Sequence, residues 1–207
     1  MIVLKHLLLV PFLFLTTLDN QESMRSYSIN HDKNSQKLLP STNYKQTTFG
    51  ISINLYRVGK AEKFEDLKDI EIQIAKTKDT KVDLYKMTSD LGMIFLNTTD
   101  PFINEDTIPY KMLFGRSVRK SVSVGDIGGF LPSSEIIEIA KWIKSNKIET
   151  FDGFSKMYDG LSTEVKKELK QLGTEDKVTL FNAYVRPLVI LYFTALENQN
   201  SVIFIGL

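Results

Sequence analysis

The chain has 207 residues, a formal net charge of +1 and no cysteine. That length suits one domain with a proper core plus extra segments. The missing cysteine excludes disulfides, thiol catalysis, cysteine zinc sites and acylated-cysteine anchors. The near-neutral balance lacks the strongly basic signal of a nucleic-acid binder.

Residues 1–18 place a single lysine, Lys5, before an apolar run at residues 7–15. This is the order of a secretory signal peptide. The run is shorter than the roughly 20 apolar residues of a comfortable transmembrane helix. Export to the periplasm or beyond is expected, with an uncleaved inner-membrane anchor as the variant, because no small-x-small pair follows Leu18. Translation from Met24 would instead give a cytoplasmic form. Residues 19–47 are polar without apolar periodicity, as in a flexible tether. Residues 48–207 read as the folded domain, in which 21 basic residues face 22 acidic ones.

Within the domain, residues 48–58 alternate. Ile51, Ile53 and Leu55 share one face and Ser52, Asn54 and Tyr56 the other, which predicts a half-buried strand. Residues 61–76 read as a helix with Phe64, Leu67 and Ile70 or Ile74 inward. Residues 82–96 read as a second, with Gly92 as a close-packing point. Ile108, Met112, Leu113 and Phe114 form an apolar segment that Gly115 stops as a helix C′ residue would. Arg116, Arg119 and Lys120 read as an exposed loop, followed by a glycine loop with Gly125, Gly128 and Gly129. Ser133 or Ser134 then caps a helix with Glu135 in its first turn and Ile136, Ile139, Ala140 and Ile143 as the buried stripe. A short helix at residues 151–158 follows. Ser162 caps the next, which turns Val165, Leu169 and Leu172 inward and stops at Gly173. The longest helix opens at residues 174–176 and runs to about Glu197, with a kink expected at Pro187. Residues 201–205 form a continuously apolar closing strand, as in a strand covered on both faces. The fold class is α+β: a small sheet joining the N- and C-terminal strands, packed by several helices.

This layout resembles the YfbM-like family, bacterial proteins of unknown function. The resemblance covers residues 48–207. It rests on residues 49–53, Asp83-Leu84, Leu91, Leu96-Asn97, Pro109 with Leu113 and Gly115, residues 128–131 and residues 201–206. These are packing motifs and imply fold rather than chemistry. The family's first central helix commonly carries a tryptophan and a Leu-His pair, where this chain has Thr88 and Leu91-Gly92. A role for that histidine therefore does not carry over.

The chain's two histidines, His6 and His31, both precede the domain. Without histidine or cysteine, Ser-His-Asp and Cys-His catalysis and histidine zinc sites are excluded within residues 48–207. The remaining catalytic candidates are the carboxylates Asp100 and Asp106 in one loop and Asp126 in the glycine loop, suited to acid–base or oxygen-ligand metal chemistry. Trp142, Arg116 and Arg119 are the candidate binding residues, Trp142 as the side-chain type found in hot spots or as core edge. No dedicated metal site and no cofactor are expected. The leading reading is a non-catalytic interaction module, exported or membrane-tethered, of which a toxin-neutralising immunity role is one form. Its partner is another protein, nucleic acid is not expected, and a membrane is met only through the N-terminal segment. The alternative is a metal-assisted hydrolase using the loop carboxylates.

Overall fold

A computed structural model describes residues 52–85 and 87–206. The leader, the tether, both histidines and residues 49–51 of the first strand motif lie outside the described residues.

The sheet comprises β1 (Ile53–Val58), β2 (Val82–Asp83), β3 (Arg116–Val122), β4 (Gly125–Leu131) and β5 (Ser201–Gly206). All pairings are antiparallel, in the order β2-β1-β5-β4-β3. The helices are α1 (Ile70–Lys76), α2 (Met87–Leu96), α3 (Ile108–Phe114), α4 (Ser133–Ser145), α5 (Phe151–Asp159), α6 (Thr163–Leu172) and α7 (Lys177–Glu197). The chain is α+β, and its two terminal strands pair directly, Ile53 opposite Gly206 and Val58 opposite Ser201.

One face of the sheet, with Ile53, Leu55, Leu131, Val202 and Phe204, packs on helices α2–α7. The other face, with Tyr56, Val58, Ile127, Phe130, Ile203 and Ile205, is covered by α1 and a 3-10 turn at Phe64–Asp66. The core is thus double-sided, which corrects the half-buried reading of β1: Asn54 and Tyr56 are buried along with Ile53 and Leu55. The buried Ser201 hydroxyl donates to the Ala61 carbonyl (2.9 Å) and accepts its N–H (3.0 Å), clasping β5 to the chain after β1.

Other local readings also change. The helix expected over residues 61–76 survives only as the 3-10 turn and α1, because Leu67 is extended and Asp69 takes a left-handed φ of 47°. Phe64, Leu67, Ile70 and Ile74 still face the sheet. Val82 and Asp83 pair with β1 instead of opening α2, and the Asp83 carboxylate accepts the Tyr85 N–H (3.0 Å) in a turn at positive φ. The glycine loop and the basic loop before it are the hairpin β3–β4, and of its glycines only Gly125 has positive φ. Gly129 serves close approach: a Cβ there would strike the Phe114 carbonyl oxygen. Gly92 likewise allows contact, with Pro101 2.6 Å from where its Cβ would lie.

Neither serine caps α4. Pro132 holds the N-cap position, and the Ser133 hydroxyl donates to Glu62 Oε1 (2.7 Å). Ile136, Ile139, Ala140 and Ile143 are buried, as their spacing predicts. Ser162 caps α6 and Gly173 closes it at φ 71°, but Leu172 points outward, 37% exposed. In α7, Pro187 follows a π turn at Phe181–Val185. Proline has no N–H to give the carbonyl four residues back, and the ladder widens just ahead of it, with the Arg186 N–H reaching Phe181 O. Among the described residues α7 alone is long and apolar enough to cross a membrane. Here Leu188, Val189, Leu191, Tyr192 and Ala195 are buried in the core, and the Tyr192 hydroxyl donates to Met112 O (2.6 Å).

Candidate binding surface

The sheet has two edges, the two-residue β2 and the longer β3. β3 pairs with β4 on one side, and no other strand pairs with it among the described residues. Its sequence, Arg116-Ser-Val-Arg-Lys-Ser-Val122, carries three cations and no acid. Arg116 and Lys120 lie opposite Phe130 and Ile127. Directly opposed residues share a face, so both cations stand on the α1 side of the sheet. Val118 and Val122 pack against that same cluster. The α1 side of the edge therefore reads cation, valine, cation, valine. A register shift between Ser117 and Lys120 separates its two halves.

Each end of the strand is tied down. The Arg116 guanidinium forms an ion pair with Glu135 in the first turn of α4. At the other end Ser121 Oγ donates to Asp126 Oδ1 (2.6 Å), and the Ser123 N–H donates to Glu71 Oε1 on α1 (3.1 Å). Lys120 Nζ lies 5.9 Å from the Phe64 ring centroid, within reach of a cation–π contact. Between α1 and β3 an open groove of about 380 Å³ runs along residues 69–72 and 120–122. Ile72 and, at the hairpin tip, Val124 are exposed, at 56% and 43%.

The carboxylate candidates take separate local partners. Asp100 Oδ1 accepts the Phe102 N–H (3.0 Å) and so shapes its own turn. Asp106 is exposed in the loop before α3, and Asp126 sits on β4 against Ser121. Among the described residues no three His, Asp or Glu side chains form a group that could hold a metal ion. Trp142 is half-buried on α4, edge-to-face with Phe95 at 5.7 Å. Arg116 and Arg119 are exposed on β3.

Sequence reasoning passed over two features. Asp90 is 8% exposed on α2 and accepts the Thr174 hydroxyl (2.5 Å); burial raises its carboxyl above the usual range, partly offset by that bond. Nothing in the local pattern marks it, since its partner lies far along the chain. The loop after α2 exposes Phe102 and Ile103 beside Phe114 and Tyr110. Burial and the charge of Glu105 push the Tyr110 phenol up to about 12. The edge strand itself had a signal, two polar-apolar runs joined by a two-residue turn before Gly125.

No family model and no curated protein matches the chain. A crystal structure of YfbM from Escherichia coli, a protein of unknown function, is similar to it. The two are 15% identical, the match covers 75% of this chain and 99% of that one, and the TM-score is 0.43. The family resemblance read from the sequence and this match point to the same protein, whose function is itself unknown.

Proposed function

We propose that residues 48–207 form a non-catalytic binding module for another protein, which the N-terminal segment sends out of the cytoplasm or holds at a membrane. The observation that carries the binding reading is the open edge of β3. An edge strand is a template for a partner's extended backbone, and here it borders an open groove. Arg116 and Arg119 belong to this strand, which gives the two cations a common place in the reading. The absence of histidine and cysteine from residues 48–207 agrees with a role that needs no thiol nucleophile or imidazole base.

Photo-crosslinking in the native host tests this. A benzophenone side chain at Ser117, exposed on β3, is expected to trap one discrete polypeptide. The same probe at Lys167 on α6, exposed and away from the sheet, is expected to trap none. Identical products from both positions would defeat the reading.

A further inference from the structure

We propose a second docking surface, formed by the loop between α2 and α3 with the exposed face of α3, which receives a segment of a partner protein carrying cations among apolar side chains. It shares with the reading above only that residues 48–207 bind another protein, and its residues lie off the β3 strand. Residues 97–107 hold three acids and no cation. The loop is pinned at fixed points. Pro101 is buried against Gly92, 2.6 Å from where a Cβ on that glycine would lie. The Asp100 carboxylate accepts the Phe102 N–H (3.0 Å), and the Thr107 hydroxyl donates to the Asn104 carbonyl (2.7 Å). Between these points Phe102 and Ile103 stand 44% and 65% exposed, although such side chains are most often buried. The Phe102 ring lies 5.4 Å from that of Phe114, which lies 4.7 Å from Tyr110 one turn back on α3. Ile103 and the three rings thus line up as one apolar strip, the kind of surface that marks an interaction site.

Charge decides the occupant. Asp100 holds the Phe102 amide, and Glu105 lies near enough to Tyr110 to add its charge to burial in raising the phenol. Asp106 is exposed beside Glu105. Among the described residues none of these three carboxylates takes part in an ion pair. The cations closest in sequence are engaged elsewhere: Lys111 shares a cleft with Glu135 and Glu138, and Arg116 is paired with Glu135. The strip therefore carries an acidic rim. Such a rim repels an anionic lipid surface. A second copy of this chain would set three acids against three, and like charges across an interface repel. A segment bearing Lys or Arg meets both features at once. Its cations reach the carboxylates and the ring faces, while its apolar side chains lie along Phe102 and Ile103.

The test is fluorescence anisotropy with the full-length chain and two labelled peptides, Lys-Leu-Lys-Phe-Lys and Glu-Leu-Glu-Phe-Glu. The cationic peptide is expected to bind about tenfold more tightly, from roughly a factor of two for each of three exposed opposite-charge pairs, and to weaken as salt is raised. Amide chemical shifts should move at residues 100–106 and at Tyr110 and Phe114. Ile103→Ser should weaken the cationic peptide about threefold, and Glu105→Gln with Asp106→Asn should bring the two peptides towards equal affinity. Both variants should keep the wild-type melting temperature, because the altered residues are exposed. Equal binding of the two peptides by the wild type, binding of neither, or shifts confined to another part of the molecule would each overturn the inference. Adsorption to phosphatidylcholine–phosphatidylglycerol vesicles that Ile103→Ser abolishes would overturn it in favour of a membrane. The Ser117 crosslink reads the β3 edge, so the two results can fail separately.

Discussion

Gly128 and Gly129 adjoin in β4, yet a side chain would meet very different surroundings at each. Nothing lies within 4 Å of a Cβ built on Gly128, whereas one on Gly129 runs into the Phe114 carbonyl and lies 3.1 Å from Phe204 Cβ. Gly129→Ala is expected to cost about 2 kcal/mol or more, because backbone must move. Gly128→Ala should leave the melting temperature unchanged or slightly raised, since alanine restricts the unfolded chain. Thermal melts of the two variants check this, and equal losses would show that the close approach is relaxed in solution. The pair also illustrates what was legible. Three glycines in five residues suggested freedom of rotation, but at Gly129 the glycine is needed for lack of bulk, and that need comes from the end of α3 at Phe114, fifteen residues earlier. Asp90 has a consequence of its own. Its carboxyl is raised by burial, so the fold favours the protonated form. That stabilising contribution is whole below the ordinary carboxylate value of about 3.9 and is lost as pH rises through the folded value. Asp90→Asn stays neutral throughout. The advantage of the variant over the wild type should therefore grow between about pH 4 and pH 7, read from melting temperatures across that range. An advantage that shrinks with rising pH would contradict the assignment.

At the level of elements, legibility tracked burial. α4 buries one stripe and reads directly from its period of isoleucines; β5 buries every side chain from Ser201 to Ile205 and reads as a continuous apolar run. β3 buries almost nothing, so its residues resemble loop in any pattern based on hydrophobicity. The segment before α1 keeps its apolar residues on the right side but reaches the sheet through a turn, a choice made by tertiary contact rather than by period. The weight carried by β5 is open to measurement. Val202, Ile203, Phe204 and Ile205 are all buried at 2% exposure or less. Taking about 1.5–3 kcal/mol for each, removing the strand forfeits roughly 6–12 kcal/mol of burial, comparable to the 5–15 kcal/mol that holds a typical domain together. A chain ending at Asn200 should be unfolded or aggregated at room temperature. A cooperative melt with native circular dichroism from that truncation would show the strand to be dispensable.

For the whole molecule, charge and layout point the same way. The domain is close to neutral overall, so attraction acts at short range and on local surfaces rather than through a long-range field. Such a module has use outside the cytoplasm only if the N-terminal segment takes it there. A reporter active only beyond the inner membrane, fused after Leu207, is expected to give signal, and deletion of residues 1–23 should abolish it. Signal restricted to a cytoplasmic reporter would instead support translation from Met24. The outline of the domain was legible because its α+β character and the meeting of its end strands follow from patterns within single elements. The hairpin at the sheet's edge was less so, because an exposed strand leaves little hydrophobic imprint.

The position of β5 also orders events in time. It lies between β1 and β4 and is the last element of the fold to be synthesised. Until the ribosome has passed residue 206, β1 has only the two residues of β2 for a neighbour, and β4 has only β3. Isolated two-stranded ribbons are marginal in water, and joining β1 to β5 closes a loop of nearly the whole domain, the kind of distant contact that forms late. The nascent domain thus has no complete sheet to fold around during elongation. A chain in that state remains threadable, which is the condition a translocation channel requires of its cargo.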